Sequence, residues 1–176
     1  MKKFSVYLFM VILILGCSPA EDEVIETKEK KYPDQESWNT EIILTKNGQK
    51  RAVVLAGHLT KNNDESTMVL DESVDVDFYD AEQSHLSHLK SHQARVNENT
   101  NDLLASGNVV VVSDSGVTLY TEELRWDHRR ERIISDVFIT FISDQDTLTG
   151  IGFESDSDLE NWVIDKPAGV TGRTME

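Results

Sequence analysis

The sequence has a single cysteine, Cys17, among its 176 residues. An internal disulfide, a Cys-x-x-Cys redox centre and a cysteine-rich zinc site each need at least two cysteines, so all three are excluded. Basic residues are also scarce, because 17 Lys and Arg stand against 32 Asp and Glu, a formal net charge of −15. A nucleic-acid-binding protein needs a basic face that neutralises phosphates, and this composition argues against that class.

The chain also lacks an apolar run long enough to cross a bilayer. Its longest run, residues 6–15, has ten residues, whereas a membrane-spanning helix needs roughly 20. Lys2 and Lys3 precede this run, and residues 13–17 (LILGC) resemble the lipobox of bacterial lipoproteins. The pattern predicts a lipoprotein signal peptide over residues 1–16 and lipidation of Cys17, the alternative being an uncleaved signal anchor.

Cleavage after residue 16 leaves a chain that is more acidic still, with a formal charge of about −17. An anionic membrane surface repels such a chain, so acyl chains on Cys17 are expected to hold it at the membrane. Residues 17–36 are charged and lack apolar periodicity, which predicts a disordered acidic tether with an r.m.s. span of roughly 25 Å. Residues 37–176 form the predicted folded domain.

From residue 37 onwards the sequence is typical of β-strands, because apolar and polar residues alternate and Val, Ile, Thr and aromatic residues are frequent. The predicted strands are Glu41–Lys46, Arg51–Leu59, Val74–Tyr79, Val109–Ser113, Val117–Trp126, Ile133–Ile142 and Thr147–Phe153. Turns are predicted at Asn47–Gly48, Asp114–Gly116 and Asp127–Glu131. No segment has convincing helical periodicity, so the predicted fold class is all-β.

A faint internal repeat has a period near 30 residues. Asn97, Leu103 and Asp114 are echoed by Asp127, Ile133 and Asp144, and Asp80 fits an earlier unit. A unit of two strands and two turns describes stacked β-hairpins in an elongated, twisted antiparallel sheet with unpaired strands at both ends. A compact sandwich with coincidental spacing is the alternative.

Glycines inside strands point to irregular backbone. Gly107 precedes a run of four valines, and Gly150 and Gly152 lie within another predicted strand. Glycine in a strand marks a bulge, a bend or a close backbone approach, although simple strand ends remain an equal alternative.

Three histidines are the strongest candidates for a metal site. The spacing of His85, His88 and His92 would suit zinc if the segment were helical. In a strand only His88 and His92 share a face, so these residues are predicted to be solvated surface histidines. No metal or cofactor is expected.

Catalysis is not expected either. The acidic pairs Glu122/Glu123, Glu154/Asp156 and Asp156/Asp158 lie in turn-like sequence, whereas acid–base catalysis needs burial or coupling that shifts a pKa. No GxSxG, HExxH, P-loop or GxGxxG pattern is present. A hydrolase that uses one of these pairs is kept as a third alternative. The basic run 128–132 is predicted to cap a hairpin in water or, alternatively, to hold an anionic headgroup.

The order and spacing of several motifs resemble the LptC family, the membrane-attached periplasmic component of the lipopolysaccharide-export machine of Gram-negative bacteria. The similarity covers residues 37–173, and its most specific motifs are Gly107-Asn108-Val109, Asp114-x-Gly116-x2-Leu119, Thr121-x2-Leu124-x-Trp126-Asp127 and Gly150-x-Gly152. The resemblance implies an open, twisted antiparallel β-jellyroll (OstA/LptC-like) whose groove shelters the acyl chains of lipopolysaccharide. It implies neither catalysis nor an ATP site.

The resemblance also implies partners. The N-terminal edge, within Glu41–Leu59, would pair with permease subunits of an inner-membrane ABC transporter. The C-terminal edge, within Thr147–Thr171, would pair with a periplasmic OstA-like bridge protein, so that lipopolysaccharide passes from one to the other. The anchor is expected in the inner membrane. Ser18 follows the lipidated cysteine where enteric bacteria use aspartate as the inner-membrane signal, which leaves the outer membrane open.

Strand alternation then predicts which side chains line the groove. The lipid-binding candidates are Val109, Val111, Leu119, Val137, Ile139 and Phe141, with Phe153 near one end. Each buried CH₂ contributes about 0.8 kcal/mol, so acyl chains can bind without charge pairing. Ordinary core packing is the alternative for each residue. For the whole chain, the alternative is a structural or adaptor lipoprotein with a closed β-sandwich and no lipid slot.

Overall fold

The computed structural model describes residues 32–171. The predicted signal peptide, the lipidation site Cys17 and most of the predicted tether lie outside the described residues. The first strand begins at Gln35, two residues before the predicted domain boundary, because Gln35 and Glu36 pair with Lys61 and Thr60. No helix within residues 32–171 is long and apolar enough to cross a membrane.

The described residues form one antiparallel sheet of ten strands, which confirms the all-β fold class. The strands are β1 (Gln35–Lys46), β2 (Gln49–Asn62), β3 (Thr67–Tyr79), β4 (His85–Ser91), β5 (Gln93–Asn97), β6 (Leu103–Ser113), β7 (Thr118–Asp127), β8 (Arg132–Ile142), β9 (Thr147–Asp156) and β10 (Val163–Thr171). Strands pair in chain order, and β4 and β5 share one position between β3 and β6. A short 3-10 turn, Asn63–Glu65, joins β2 to β3.

Irregular residues face one another from strand to strand near the middle of the sheet, and we call this line the crease. Between neighbouring strands, the residues on either side of the crease are paired, but the crease residues themselves are not. The crease consists of Asn39, Gly57, Glu72, Ser73, His92, Gly107, Asn108, Glu122, Asp136, Val137, Gly152 and Asp165. Unequal numbers of residues face each other at the crease between β2 and β3, between β6 and β7, between β7 and β8, and between β8 and β9, and such bulges bend a strand.

Backbone conformations at the crease explain the bend. Gly107 has φ +79° and its neighbour Asn108 has φ +48°, a pair of left-handed residues opposite the single residue Glu122. Glycine and asparagine adopt this region most readily. At Gly57 a Cβ atom would collide with the backbone carbonyl oxygen of Glu72 on β3, so only glycine allows the two strands to approach this closely. The bulge expected at Gly107 is confirmed.

The crease folds the sheet into two half-sheets that pack face to face. The first half-sheet comprises residues 40–56, 74–91, 109–121, 138–151 and 166–171; the second comprises residues 35–38, 58–71, 93–106, 123–135 and 153–164. Inward-facing side chains of both halves form one apolar core. The ring of Phe78 in the first half-sheet lies 5.2 Å from that of Trp126 in the second.

The seven predicted strands are all present, but several of them cover only one side of the crease. Strand β3 is predicted from Val74 but begins at Thr67. Strand β6 is predicted from Val109 but begins at Leu103. Bulges interrupt the alternation that identifies a strand, so the shorter arms were missed. Strands β4 and β5 were not predicted. The three predicted turns are confirmed.

The repeat also has a structural counterpart. Asn97 and Asp127 each begin the turn before a strand, and each accepts backbone N–H bonds within that turn, at 2.9 Å from Asn99 and Arg130 respectively. Leu103 and Ile133 lie at the start of β6 and β8. The 30-residue spacing therefore corresponds to successive hairpins of the folded sheet.

Candidate functional site

The space between the half-sheets is apolar and filled. Six of the predicted groove residues lie there at 0–2% exposure: Val109, Val111, Leu119, Ile139, Phe141 and Phe153. The ring of Phe141 lies 5.7 Å from that of Phe153 across the interior. The hydrophobic effect drives apolar walls together when no ligand separates them. The groove expected to be open along its side is therefore closed over most of its length.

Val137 does not belong with these residues. The prediction placed it inward by alternation with Ile139, but a bulge sets Asp136 and Val137 opposite the single residue Gly152. The bulge turns Val137 outwards locally, at 37% exposure, whereas Ser135 before it and Ile139 after it are both buried. The inward assignment of Val137 is therefore wrong.

The margin opposite the crease is the mouth of the folded sheet, where turns of the two half-sheets face each other. The β9–β10 turn, residues 157–162, lies across this mouth, and we call it the cover turn. Ser87 of the first half-sheet donates a side-chain hydrogen bond to the carbonyl oxygen of Ser157. Leu159 packs into the core at 1% exposure, although its φ of +62° is unusual for leucine. Its side chain closes this part of the mouth.

Beside Leu159 the mouth opens into a cleft of about 460 Å³. Its apolar lining consists of Val117, Phe141, Leu148, Leu159 and Trp162. The rings of Phe141 and Trp162 lie 4.8 Å apart. Phe141 also lies against Phe153 in the interior, so its ring borders both the cleft and the closed groove.

Asp156 holds the base of the cover turn. Its carboxylate accepts backbone N–H bonds from Glu160 (3.1 Å) and Asn161 (3.0 Å) and a 2.5 Å bond from the Asn161 amide group. Burial and a hydrogen bond with Asp156 raise the pKa of Asp158 to about 6. Burial also raises the pKa of Asp156, but its hydrogen bonds from Asp158 and Asn161 outweigh this and lower it to about 2. The coupling between the carboxyl groups of Asp156 and Asp158 was not predicted from the sequence.

An ion-pair cluster joins the half-sheets at another part of the mouth. Glu131, on the β7–β8 turn, accepts hydrogen bonds from Lys46 Nζ (3.1 Å) and Arg51 Nε (2.9 Å) of the first half-sheet. Partial burial raises the pKa of Glu131, but the bonds from Lys46 and Arg51 outweigh it and hold the pKa below its ordinary value. The basic run 128–132 contains the turn of the β7–β8 hairpin, as predicted, and Arg129 and Arg130 in it are exposed; the structure also places this turn at the mouth.

The two terminal strands of the sheet are β1 and β10. Each predicted edge segment contains one of them together with an inner neighbour, β2 or β9, that is paired on both sides. Exposed apolar side chains lie on both terminal strands: Trp38 and Ile43 on β1 and Val163 on β10. Unpaired edges of this kind can accept a further strand from a partner.

A family model described as lipopolysaccharide-assembly, LptC-related, matches residues 6–166. The chain belongs to the LptC family. Membership implies a role in lipopolysaccharide transport, on the periplasmic side and in association with the Lpt transport machinery. Comparison with curated proteins gave no match.

Histidines of this LptC chain form hydrogen bonds with aspartates on the outer face. His88 contacts Asp77 through Nδ1 (2.6 Å) and Asp75 through Nε2 (2.9 Å), and His85 contacts Asp114 at 2.8 Å. Burial raises the pKa of Asp77, but hydrogen bonds with His88 and His85 outweigh burial, so the pKa lies below its ordinary value. Within residues 32–171 no group of three or more His, Cys, Asp and Glu side chains is arranged to hold a metal ion.

The LptC chain has a second apolar groove, of about 340 Å³, on the outer face beside the crease. Sequence analysis did not predict it, although two predicted groove residues, Val109 and Val137, line it together with Val110, Tyr120 and Phe138. The signal that could have found it is the apolar character of outward positions such as Tyr120 and Phe138, which are 44% and 54% exposed.

Proposed function

We propose that this LptC-family chain is held at the inner membrane by acyl chains on Cys17 and carries lipopolysaccharide between its half-sheets. It receives the lipid from an inner-membrane ABC transporter and passes it to a periplasmic bridge protein. The observation that carries this proposal is the mouth, where the buried side chain of Leu159 lies beside a solvent-accessible cleft. One part of the cleft lining is apolar, and the other is polar and includes Asp144, Asp146 and Glu160.

The energetics favour entry through the mouth. An acyl chain of about 12 methylene groups gains roughly 10 kcal/mol on leaving water. The walls of the groove stay covered by apolar atoms whether they contact each other or an acyl chain. The main cost of entry is therefore displacement of the cover turn, which is bonded to the rest of the fold through few side chains, among them Ser87 and Arg132.

The terminal strands support transfer between partners. Adding a strand to β1 and another to β10 would continue the sheet, and with it the groove, into both neighbours. Trp38 and Ile43 on β1, at 59% and 53% exposure, offer apolar contacts to such a partner. The transporter is assigned to β1 and the bridge protein to β10.

The test of cargo binding is photocrosslinking in cells with a matched pair of positions. A benzophenone side chain at Phe141 faces the interior and the mouth cleft, whereas one at its neighbour Ile142, 37% exposed, faces outwards. Lipopolysaccharide should be captured at position 141 and not at 142. Capture at Tyr120 instead would move the cargo to the outer groove.

The filled interior favours a second candidate, a structural or adaptor lipoprotein that joins partners through its edges and carries no lipid. Crosslinkers at Ile43 and Val163 should capture protein partners under either function, with Tyr120 as a control position in the middle of the sheet. Capture of proteins at these edges without capture of lipopolysaccharide at Phe141 or Tyr120 would establish the adaptor.

A further inference from the structure

Positive charge is concentrated at one part of the mouth in this otherwise acidic chain. Residues 32–171 contain eleven Lys and Arg, and six of them lie on the β1–β2 hairpin and the β7–β8 turn: Lys46, Lys50, Arg51, Arg129, Arg130 and Arg132. The two hairpins are in contact, since Lys46 Nζ donates to the carbonyl oxygen of Arg129 at 3.1 Å. We call this cluster the basic corner.

Two cations of the basic corner share a single carboxylate. Lys46 Nζ and Arg51 Nε both donate to the same oxygen, Glu131 Oε1, at 3.1 Å and 2.9 Å. Glu131 reaches them from a backbone with φ +55°, a left-handed conformation that is unfavourable for glutamate. A phosphate monoester carries up to two negative charges and three acceptor oxygens, so it satisfies the two cations better than this carboxylate.

Arg51 does not depend on Glu131 for its position. Its Nη1 donates to the carbonyl oxygens of Asp80 (2.8 Å) and Lys50 (3.2 Å), and its Nη2 donates to Gln49 Oε1 (3.1 Å). The residue is only 7% exposed. When Glu131 moves away, the guanidinium therefore stays in place with its Nε–H directed at the vacated position, as a preorganised anion site requires.

A small cleft of about 150 Å³ adjoins this position, with Arg51, Tyr79, Trp126 and Glu131 in its lining. Trp126 Nε1 is a buried donor without a hydrogen-bond partner. The volume corresponds to roughly five water molecules at about 30 Å³ each, which accommodates a phosphate group.

Acidic residues limit where an anion can sit. Asp80, Asp156 and Asp158 also line this cleft, and their charge repels a phosphate from the cleft itself. Asp156 is already bonded to Glu160 and Asn161. The favourable position is therefore beside Lys46 and Arg51, where the Glu131 carboxylate now lies.

We propose that Lys46 and Arg51 form a binding site for a phosphate monoester on a lipid headgroup, and that this phosphate displaces the carboxylate of Glu131. The proposal rests on the lipid-carrying function. Because Glu131 joins the β7–β8 turn to the first half-sheet across the mouth, its displacement releases one of the contacts that hold the mouth closed. Headgroup recognition and acyl-chain entry are thereby coupled.

The test compares two probes, phosphorylated lipid A and the same lipid after removal of its phosphates, binding to the full chain in detergent. The unmodified chain should prefer the phosphorylated lipid. Lys46→Gln should reduce that preference by about tenfold, the loss expected for one charge-assisted hydrogen bond. Glu131→Gln removes the competing carboxylate, so it should tighten binding of the phosphorylated lipid several-fold, whereas binding of the other lipid should gain much less, from easier opening of the mouth alone. Lys90→Gln, a matched change at an exposed lysine paired with Asp75, should alter neither.

The NMR signal of the Arg51 Nε–H, which now bonds to Glu131, gives a direct readout, and it should shift with the phosphorylated lipid and much less with the other lipid. An equal shift with inorganic phosphate alone would identify a free-phosphate site and overturn the headgroup assignment. Equal binding of both lipids, unaffected by Lys46→Gln, would overturn the phosphate site while leaving lipid carriage intact. Absence of binding by either lipid would instead count against the proposed function itself.

Discussion

The ring centroids of Phe78 and Trp126 lie 5.2 Å apart, although Phe78 belongs to the first half-sheet and Trp126 to the second. Both side chains are almost completely buried. Tilted aromatic contacts of this kind add to the area that each ring buries. Packing between the half-sheets therefore stabilises the folded sheet at a distance from the crease.

Phe78→Ala should destabilise the fold by about 3–5 kcal/mol, because it removes a large buried ring and leaves a cavity between the half-sheets. The matched control is Phe138→Ala, in which the ring is 54% exposed on the outer face. That change should cost less than about 1 kcal/mol. Urea denaturation followed by circular dichroism measures both, and equal losses would contradict the packed interface.

Gly152→Ala should destabilise the crease by about 1–3 kcal/mol. Its φ is +81°, and a Cβ atom would lie 2.6 Å from a carboxylate oxygen of Asp165. Gly169→Ala on β10 is the control, since its Cβ would meet only Thr149 Oγ1 at an ordinary 3.5 Å. The control should change stability by less than about 0.5 kcal/mol. A comparable shift of the urea midpoint in both variants would show that the crease does not require glycine.

Leu159→Ala should open the mouth to apolar molecules. The variant removes the side chain that closes the groove, so the fluorescence of 1-N-phenylnaphthylamine should rise while stability falls by about 2 kcal/mol. Leu55→Ala, at a position that is 43% exposed, is the control and should change neither quantity appreciably. If the Leu159→Ala chain is destabilised but binds no more dye, Leu159 packs in the core without closing the mouth.

Asp158→Asn should make the stability less dependent on pH. The pKa of Asp158 in the folded chain, about 6, lies above its ordinary value of 3.8, so folding favours the protonated form. That contribution is complete below about pH 4 and is lost as the pH rises through 6. After allowance for partial exposure, the neutral amide should stabilise the chain by about 1 kcal/mol at pH 8 and have little effect at pH 4.

The pH test has a contrasting variant in Asp156→Asn. The pKa of Asp156 is lowered to about 2, so its contribution is present above about pH 4 and is lost as the pH falls towards 2. Asp156→Asn should therefore destabilise the chain at both pH 5 and pH 8. Urea midpoints at several pH values measure both variants, and a stabilising effect of Asp156→Asn at pH 8 would contradict the assigned roles.

Much of the fold could be predicted from local patterns. The arm Val74–Tyr79 alternates cleanly, and Val109–Ser113 is a run of valines typical of a strand. The tight turn at Asn47-Gly48 uses two positive φ values, +54° and +77°, that its residues adopt readily. The His85–Ser91 strand was missed because polar residues occupy its outer face, where they pair with aspartates on the neighbouring strand. Such pairing is invisible in a single strand's sequence.

The residues that line the candidate site could largely be predicted from the sequence, but the bulge and the cover turn that shape the site could not. Six groove residues, including Val111 and Phe141, are inward-facing as alternation predicts. Val137 is not, because it lies in the bulge opposite Gly152, although Ser135 and Ile139 on either side of the bulge both face inward as alternation predicts. Nothing local to residues 157–162 indicates that Leu159 lies in the core.

The amino-acid sequence determined the strand class, the turns and the apolar inner face, because these depend on neighbours within a few residues. The tertiary structure decided that the strands bend along one crease, that the groove is closed, and that Glu131 meets Lys46 and Arg51, which are 85 and 80 residues away along the chain. The physical reason is that these features depend on contacts between half-sheets, and such contacts exist only after all the strands have paired and bent together.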